Sequence, residues 1–331
     1  MAKSKTGSVA FQELAQKYSS NAFDVSNKHS TGIRAIDKLL GGGTSEGYMY
    51  YFYGEPGSGK STIVLQMIRA RLRALAKENS SKVVVFVDVE KAFNTTMQEC
   101  LKLREFVESG KLVHLTIGNM SDLDEIVTAI LAEDGANVDT FVIDSTTMIM
   151  PVTKQDLKVE DSRPGIHALQ MSFMLNKMKD GFFRCGITSL IICQARANIS
   201  INGPVNMYAP AYKQAGGYSE RHVPDVVFKV ESGAQIKDAD GLVVGNRVRI
   251  TTDKNKFAPP KQVISRDLIY GKGISLKQEI IEDAVEAGII GKSGAGFYTV
   301  PGVEKTVRGL QGLLDLPSEV IATLRDTLDS M

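Results

Sequence analysis

Nine consecutive residues, Gly54-Glu55-Pro56-Gly57-Ser58-Gly59-Lys60-Ser61-Thr62, carry the most specific chemistry in the chain. The first eight fit G-x-x-x-x-G-K-[ST] without a gap, after an apolar strand-like run and before a helical pattern, which is the context this motif requires. Glycines allow the backbone to wrap with its N–H groups pointing inward, and the following helix N-terminus adds positive potential. Lys60 can then reach the outer phosphates of a nucleotide, and the Ser61 hydroxyl can ligate magnesium. A second element is "TFVIDST", a hydrophobic strand ending in Asp144, placed to hold that magnesium from beyond its innermost ligands. Hydrolysis further needs a group that orients and deprotonates the attacking water. The run "VVVFVDVEKAF" offers two, Asp88 and Glu90, which period-2 alternation puts on the same side of a strand; position alone does not separate them. A third strand end, "SLIICQAR", carries Gln194, an uncharged amide suited to sensing a γ-phosphate or simply to capping.

These residues need a scaffold that brings several strand ends together. From Tyr48 to Ala195, short Val/Ile/Phe runs alternate with helical patterns, which predicts strands buried on both faces and a parallel sheet with helical crossovers. After Gly217 the texture changes to "DVVFKVE", "VVGNRVRITTDK" and "QVISRDLIY", read as antiparallel strands extending the sheet. From Leu276 a helix reads through "LKQEIIEDAVEAG" with Gly288 as its C′ residue; a Gly-rich turn and two short helices follow, the last starting at Pro317. The expected organisation is an N-terminal helix and polymerisation segment (1–30), a core (31–270) and a small α+β C-terminal lobe (271–331).

Composition narrows the class. With 331 residues and 43% hydrophobic content the chain can bury a sizeable core. A formal charge of +1 sets up no global basic field, so only a local patch could attract nucleic acid. Cys100, Cys185 and Cys193 lack a C-x-x-C spacing and read as inert core or half-buried thiols in a reducing cytoplasm. No stretch approaches the ~18 apolar residues of a membrane helix, and the first residues have no signal-peptide pattern, so a soluble, cytoplasmic protein is expected.

In this order and spacing the segments resemble the RecA family of recombinases over nearly the whole chain. "STGIRAIDKLLGGG", "GEPGSGKST", "VFVDVEKAF", "FVIDST" and "LIICQAR" carry the resemblance, and "TTDKNKFAPPKQ" with "IYGKGISLKQEIIEDAVEAGII" resemble the branch of bacterial RecA and phage UvsX. The resemblance implies a RecA-type P-loop ATPase core that uses ATP and Mg2+. It implies that Glu90 activates water while Asp88 is a structural neighbour, and that Gln194 couples the γ-phosphate to the DNA-binding loop after it. Lys254 and Lys256, otherwise readable as a solvated strand face, match a pair that stabilises charge on the ATP of the neighbouring protomer. Asn94 falls at an adenine-side position, and Tyr270 resembles a tyrosine that packs near the adenine from across that interface.

Two loops fall where the family contacts DNA, Val152–Gly165 and Ala195–Gly217. The second is too long for a mere connection. The residues implied in DNA binding are Arg163, Ser172, Arg196, Ile199, Lys213, Gly216 and Gly217, with Ile199 at the position of an apolar wedge between base triplets. Single-stranded DNA, homologous duplex, further copies in a helical filament, and single-strand-binding and loader proteins are the implied partners; a membrane is not among them. Departures stand beside this. Leu169 and Asn176 occupy places where bacterial RecA proteins present arginines, His222 replaces a phenylalanine, and Asn94 and Met97 replace an aspartate and a tyrosine. The leading expectation is an ATP-dependent recombinase, a DNA-dependent ATPase. The alternative is a RecA-fold mediator or regulator that binds ATP without strand exchange; a small-molecule kinase would need an Arg-rich lid that the sequence lacks.

Overall fold

The computed structural model describes residues 27–135, 137–152, 165–197, 212–214 and 218–331. Among the described residues ten strands share one sheet: β1 (Met49–Gly54), β2 (Val83–Asp88), β3 (Leu112–Leu115), β4 (Val138–Asp144), β5 (Thr188–Ala197), β6 (Tyr212–Gln214), β7 (Val226–Lys237), β8 (Val243–Asn255), β9 (Val263–Ile269) and β10 (Gly273–Ile274). Their order is β10-β9-β8-β7-β1-β5-β4-β2-β3, with β6 paired to β5 alone. Strands β7, β1, β5, β4, β2 and β3 run parallel, and β8, β9 and β10 add antiparallel pairs. The α/β class and the mostly parallel sheet with an antiparallel extension are as the sequence implies. One strand differs: β7, read as part of the antiparallel extension, is parallel to β1 and antiparallel only to β8. The connection from Ala197 to Val226 exceeds the dozen or so residues a parallel crossover needs, so β7 can re-enter at the same edge as β1.

The central strands show why their sequences are unbroken apolar runs. Tyr50, Phe52, Val84, Phe86, Val142 and Ile192 join one core with the helices Arg34–Leu40 and Lys60–Lys77. Their alternating neighbours Tyr51, Tyr53, Val85, Val87, Phe141, Ile143 and Ile191 join a second core with the helices Met120–Ala132 and Ile166–Cys185. Period-2 side chains thus feed two apolar faces, and a strand covered on both has no polar alternation to show. Met171, Met174 and Met178 are buried fillers of the second core, as expected. Cys193 is buried and Cys185 half-buried, but Cys100 is exposed, against expectation. It lies on the short helix Thr95–Cys100, none of whose residues is buried. Among the described residues no helix is long and apolar enough to cross a membrane.

A third core belongs to the C-terminal residues. The helix Leu276–Glu286, a small sheet of β11 (Gly291–Lys292), β12 (Phe297–Thr299) and β13 (Val307–Arg308), and the helices Gly309–Leu314 and Ser318–Asp329 enclose Ile281, Ala284, Ile290, Leu313 and Leu324. An ionic joint ties this cluster to the main sheet. The helix Arg34–Leu40 begins after Ile33, which has no side chain able to cap it. Glu279 supplies the missing acceptor: its carboxylate takes the N–H groups of Arg34 (3.1 Å) and Ala35 (2.9 Å). Buried Arg266 donates to Asp283 at 2.7 Å, and Arg34 and Lys38 also reach Asp283.

Burial pushes the Glu279 carboxyl up to about 7, against the opposing pull of the two N–H groups and Arg266. A carboxyl raised on folding binds its proton more readily in the folded than in the unfolded chain. The stability it contributes is complete below its unfolded value near 4.5 and is lost as pH rises through about 7. Chemical denaturation between pH 4.5 and 7.5 should therefore show wild-type stability falling by up to ~1.4 kcal/mol per pH unit from this group. Glu279→Gln should flatten that slope; an unchanged slope would show that Glu279 does not set it.

Candidate nucleotide site

The loop after β1 is shaped by close backbone contacts before any side chain acts. At Gly54 a Cβ would lie 2.0 Å from the Val230 carbonyl oxygen of β7, so only glycine fits. Gly59 has φ of 94° and leads into the helix Lys60–Lys77 without a side-chain cap. The first N–H groups of that helix thus have no capping side chain, as an anion site needs. Buried Lys60 turns back onto its own loop, donating to the Gly54 (3.0 Å) and Glu55 (2.7 Å) carbonyls. Burial lowers its pKa, while the charges of Asp144 and Glu90 work to raise it.

A pocket opens in front of this loop. Pro56, Gly57, Gly59, Lys60, Ser61 and Thr62 line one side, and Glu90, Asp144 and Gln194 line the other, with Ile192, Leu268 and Tyr270 completing it. Gly54, Glu55 and Ser58 support the loop: Ser58 is fully buried, with its N–H on the Glu55 carbonyl at 3.2 Å. The family resemblance implies that Tyr270 reaches the site from a neighbouring subunit, whereas in the structure it lines the pocket of its own chain, carried there by the turn after β9. Asn94 is not among the lining residues. Its Oδ1 accepts the Met97 N–H at 2.9 Å and caps the helix Thr95–Cys100.

The two candidate acids separate cleanly. Buried Asp88 accepts the N–H groups of Ala92 (3.2 Å) and Phe93 (3.0 Å) and faces His114 at 3.3 Å, so it braces the turn after β2. Glu90 instead faces the pocket, where its Oε1 accepts the Gln194 amide at 2.6 Å and the Ser145 hydroxyl at 2.7 Å. Thr147 completes the set: its Oγ1 lies 3.2 Å from Ser145 Oγ and accepts the Gln194 N–H at 3.1 Å. Ser145 and Thr147 were not singled out from sequence, although the hydroxyls directly after Asp144 in "FVIDSTT" were a visible signal.

Asp144 is pushed up to about 6 by burial, with the nearby Glu90 and Asp88 charges adding to the rise and the Ser61 hydroxyl and Lys60 opposing it. One of its oxygens, Oδ1, is buried without a hydrogen-bond partner. An unpartnered carboxylate oxygen in a pocket that Ser61 also lines fits a magnesium ion, which favours one or two protein oxygens plus phosphate oxygens and water. Among the described residues no group of three or more His, Cys, Asp or Glu could hold a metal ion. Ser61 and Asp144 are the residues that would hold it.

Lys254 and Lys256 lie elsewhere. Lys254 donates to the His222 (2.6 Å) and Pro224 (2.5 Å) carbonyls, and Lys256 to Asp225 at 2.9 Å. Asp225 exchanges hydrogen bonds with Met49, at the start of β1, whereas the phosphate loop begins at its end. Six strand residues separate those ends by roughly 17 Å, more than a lysine side chain spans. Both ammoniums bond the 222–225 segment, Lys256 from one residue beyond β8, and neither lines the pocket of its own chain.

Of the DNA-facing candidates, Arg163, Ile199, Gly216 and Gly217 lie outside the described residues. The segment 195–217 is not loop at both ends: Ala195, Arg196 and Ala197 of β5 pair with Gln214, Lys213 and Tyr212 of β6. Alternating backbone hydrogen bonds continue the sheet there beyond the strand end read from the apolar run. Ser172 sits on the helix Ile166–Cys185, where its carbonyl accepts the Asn176 amide at 2.8 Å.

A phosphate loop at the carboxyl edge of a mostly parallel sheet, faced by a carboxylate, an amide and an aspartate from adjacent strand ends, defines a P-loop ATPase-type site. Comparison with known proteins narrows the class. The model of the RecA N-terminal domain matches residues 4–275. The chain is 34% identical to the protein RecA of Chlorobaculum tepidum over 90% of its own length and 81% of that protein. It is 35% identical to the protein RecA of Bartonella bacilliformis, over 81% of this chain and 72% of the relative. The RecA of Chlorobaculum parvum is 33% identical over 90% and 80%. The chain belongs to the RecA family, a family of recombinases that bind ATP.

Removing one of two hydrogen bonds to a carboxylate costs ~1–1.5 kcal/mol where the group must stay aligned, close to tenfold in rate. Ser145→Ala should lower nucleoside triphosphate turnover about tenfold at saturating nucleotide while leaving binding of a fluorescent nucleotide analogue within about twofold. Equal losses in both would assign Ser145 to the binding loop instead.

Proposed function

We propose that the chain is an ATP-driven recombinase that assembles as a filament on single-stranded DNA, pairs it with homologous duplex and exchanges strands. The observation that carries this reading is the 2.6 Å hydrogen bond from Gln194 to Glu90. Glu90 is the one acid of the pair with a face toward the phosphate loop, where it can hold a water and take its proton. Gln194 grips that carboxylate and stands on β5, whose next residues enter the segment proposed to meet DNA. A change in that segment can therefore reorient the base, which gives DNA-dependent hydrolysis a direct route. Lys60 and the helix N-terminus bind the outer phosphates, Ser61 and Asp144 hold the ion, and Tyr270 forms an apolar wall of the pocket. Magnesium, when bound, would neutralise phosphate charge.

Lys254 and Lys256 act in this reading on the nucleotide of an adjacent subunit. Their position near the amino-terminal end of β1, remote from their own phosphate loop, supports it. Nucleotide between subunits then favours the assembled state and hydrolysis releases it. Residues 1–30 would serve polymerisation, 31–270 the ATPase core and 271–331 the appended lobe. Arg163, Arg196, Ile199 and Lys213 are the proposed DNA-contacting residues, with single-strand-binding and loader proteins as partners in the bacterial or phage-infected cytoplasm. The departures at Leu169, Asn176 and His222 fit a divergent member of the branch that includes phage UvsX.

A mediator without strand exchange is the second reading, favoured by one observation. Leu169 and Phe173, 59% and 70% exposed, present an apolar face where the family resemblance leads to arginine at the first position. A strand-exchange assay with circular single-stranded and linear duplex DNA divides the two: joint molecules support the recombinase, whereas assembly and turnover without them support the mediator.

Two substitutions test the assigned chemistry. Lys60→Ala should abolish both DNA-stimulated hydrolysis and ATP-dependent filaments in negative stain. Glu90→Gln should retain filaments and reduce hydrolysis by at least about a hundredfold, the lower end of the range for a lost general base. Turnover that survives in Glu90→Gln would return the base role to another group.

A further inference from the structure

The segment between the helix Tyr218–His222 and β7 gathers three lysines around one carboxylate. Asp225 is 1% exposed at its side chain. Its Oδ1 accepts Lys256 Nζ at 2.9 Å, while its Oδ2 accepts the Met49 N–H at 2.9 Å and Lys179 Nζ from the helix Ile166–Cys185. Lys254 holds the adjacent His222 and Pro224 carbonyls. The cluster carries two more positive charges than negative. Burial lowers the Lys254 pKa, and the neighbouring Lys256 and Lys179 lower it further.

The partners of Asp225 are unequal. Lys179 is the more enclosed, with 25% of its side chain exposed, and shares its oxygen with a backbone N–H of β1; Lys256 is 53% exposed and has the other oxygen to itself. A buried carboxylate that lost its only cation would be strongly destabilised. Asp225 does not face that loss when Lys256 departs, because Lys179 and the Met49 N–H remain. Lys256 is therefore the releasable partner, and Lys179 is what keeps its release inexpensive.

We propose that Asp225 and Lys179 form a positioning device for Lys256: Asp225 parks the lysine in the isolated subunit, and Lys179, by neutralising Asp225, lets a triphosphate on the adjacent subunit draw Lys256 away. This rests on the reading that Lys256 acts across a subunit interface. The two residues touch no nucleotide themselves, and their effect is on how readily the lysine is surrendered. Without Lys179, Asp225 retains Lys256 and a higher nucleotide concentration is needed to recruit it. With both charges removed, Lys256 has no parking site.

The test uses the full chain with oligo(dT) and measures the ATP concentration giving half-maximal DNA-stimulated turnover, alongside the maximal rate. Lys179→Met should raise the half-maximal concentration about tenfold and change the maximal rate less than about twofold. Lys179→Met with Asp225→Asn should bring it to or below the wild-type value, a rescue that two merely destabilising changes would not produce. The double variant removes the pair in a charge-balanced way and can be read even if Lys179→Met fails to fold. An unshifted value in Lys179→Met, or a double variant several-fold above wild type, overturns the proposal. Lys256→Ala serves as the control: wild-type turnover there would overturn the interface reading and the device with it, whereas lost turnover there with an unshifted Lys179→Met would remove the device alone.

Discussion

Parallel register is the constraint on which the site depends. Gly54 stands level with Gln194 across β1 and β5, and Asp88 with Asp144 across β2 and β4. Because the strands run the same way, every chain leaves the sheet at one edge, and residues from four segments far apart in sequence end within a few ångströms of one another. Glu90 joins this edge through the turn after β2, where Asp88 holds the Ala92 and Phe93 N–H groups and the Val89 N–H bonds the Asp144 carbonyl at 2.7 Å. A slip of one residue in β5 would turn Gln194 to the opposite face and leave Glu90 without its amide partner.

Charge at that edge is unbalanced in a way that explains its chemistry. Lys60 faces Asp144 and Glu90, with Asp88 close behind, so acids outnumber the buried cation among these groups. Desolvation and like charge together lift Asp144, which is the expected response of a carboxylate lacking a full complement of positive charge. A divalent cation would reverse that response, and the unpartnered Asp144 Oδ1 is the atom positioned to benefit. Lys60 meanwhile bonds the carbonyls of its own loop, contacts that phosphate oxygens can replace.

Much of this was legible in the sequence because it is local. The phosphate loop is one unbroken motif, the central strands announce burial on both faces, and Asp144 ends a strand at the expected distance. The family resemblance supplied the choice of Glu90; in the structure the Asp88 oxygens are occupied by the turn they brace, whereas Glu90 lines the pocket. What was not legible is relational. Neither Ser145 nor Thr147 looks different from any hydroxyl in a turn until Gln194 arrives from β5. The parallel direction of β7 depends on where a long connection returns, which periodicity does not encode. Glu279 caps a helix 245 residues earlier in the chain, so no local capping pattern could show it.

The strand β1 lies between β5 and β7 and is gripped at both ends by groups that flank the same long connection. At its carboxyl end the phosphate loop faces Gln194, the last pocket residue before that connection. At its amino end Met49 is fixed by Asp225, which follows the connection and also holds Lys179 and Lys256. A ligand that reorganised the connection would thus act on both ends of β1: on the Glu90 carboxylate of its own chain through Gln194, and on the lysines through the 222–225 segment. Those lysines lie too far from their own loop to serve it. Under the interface role proposed for them, the two effects would fall on different nucleotides, and turnover in one subunit would depend on the state of its neighbour without any long-range change in the sheet itself.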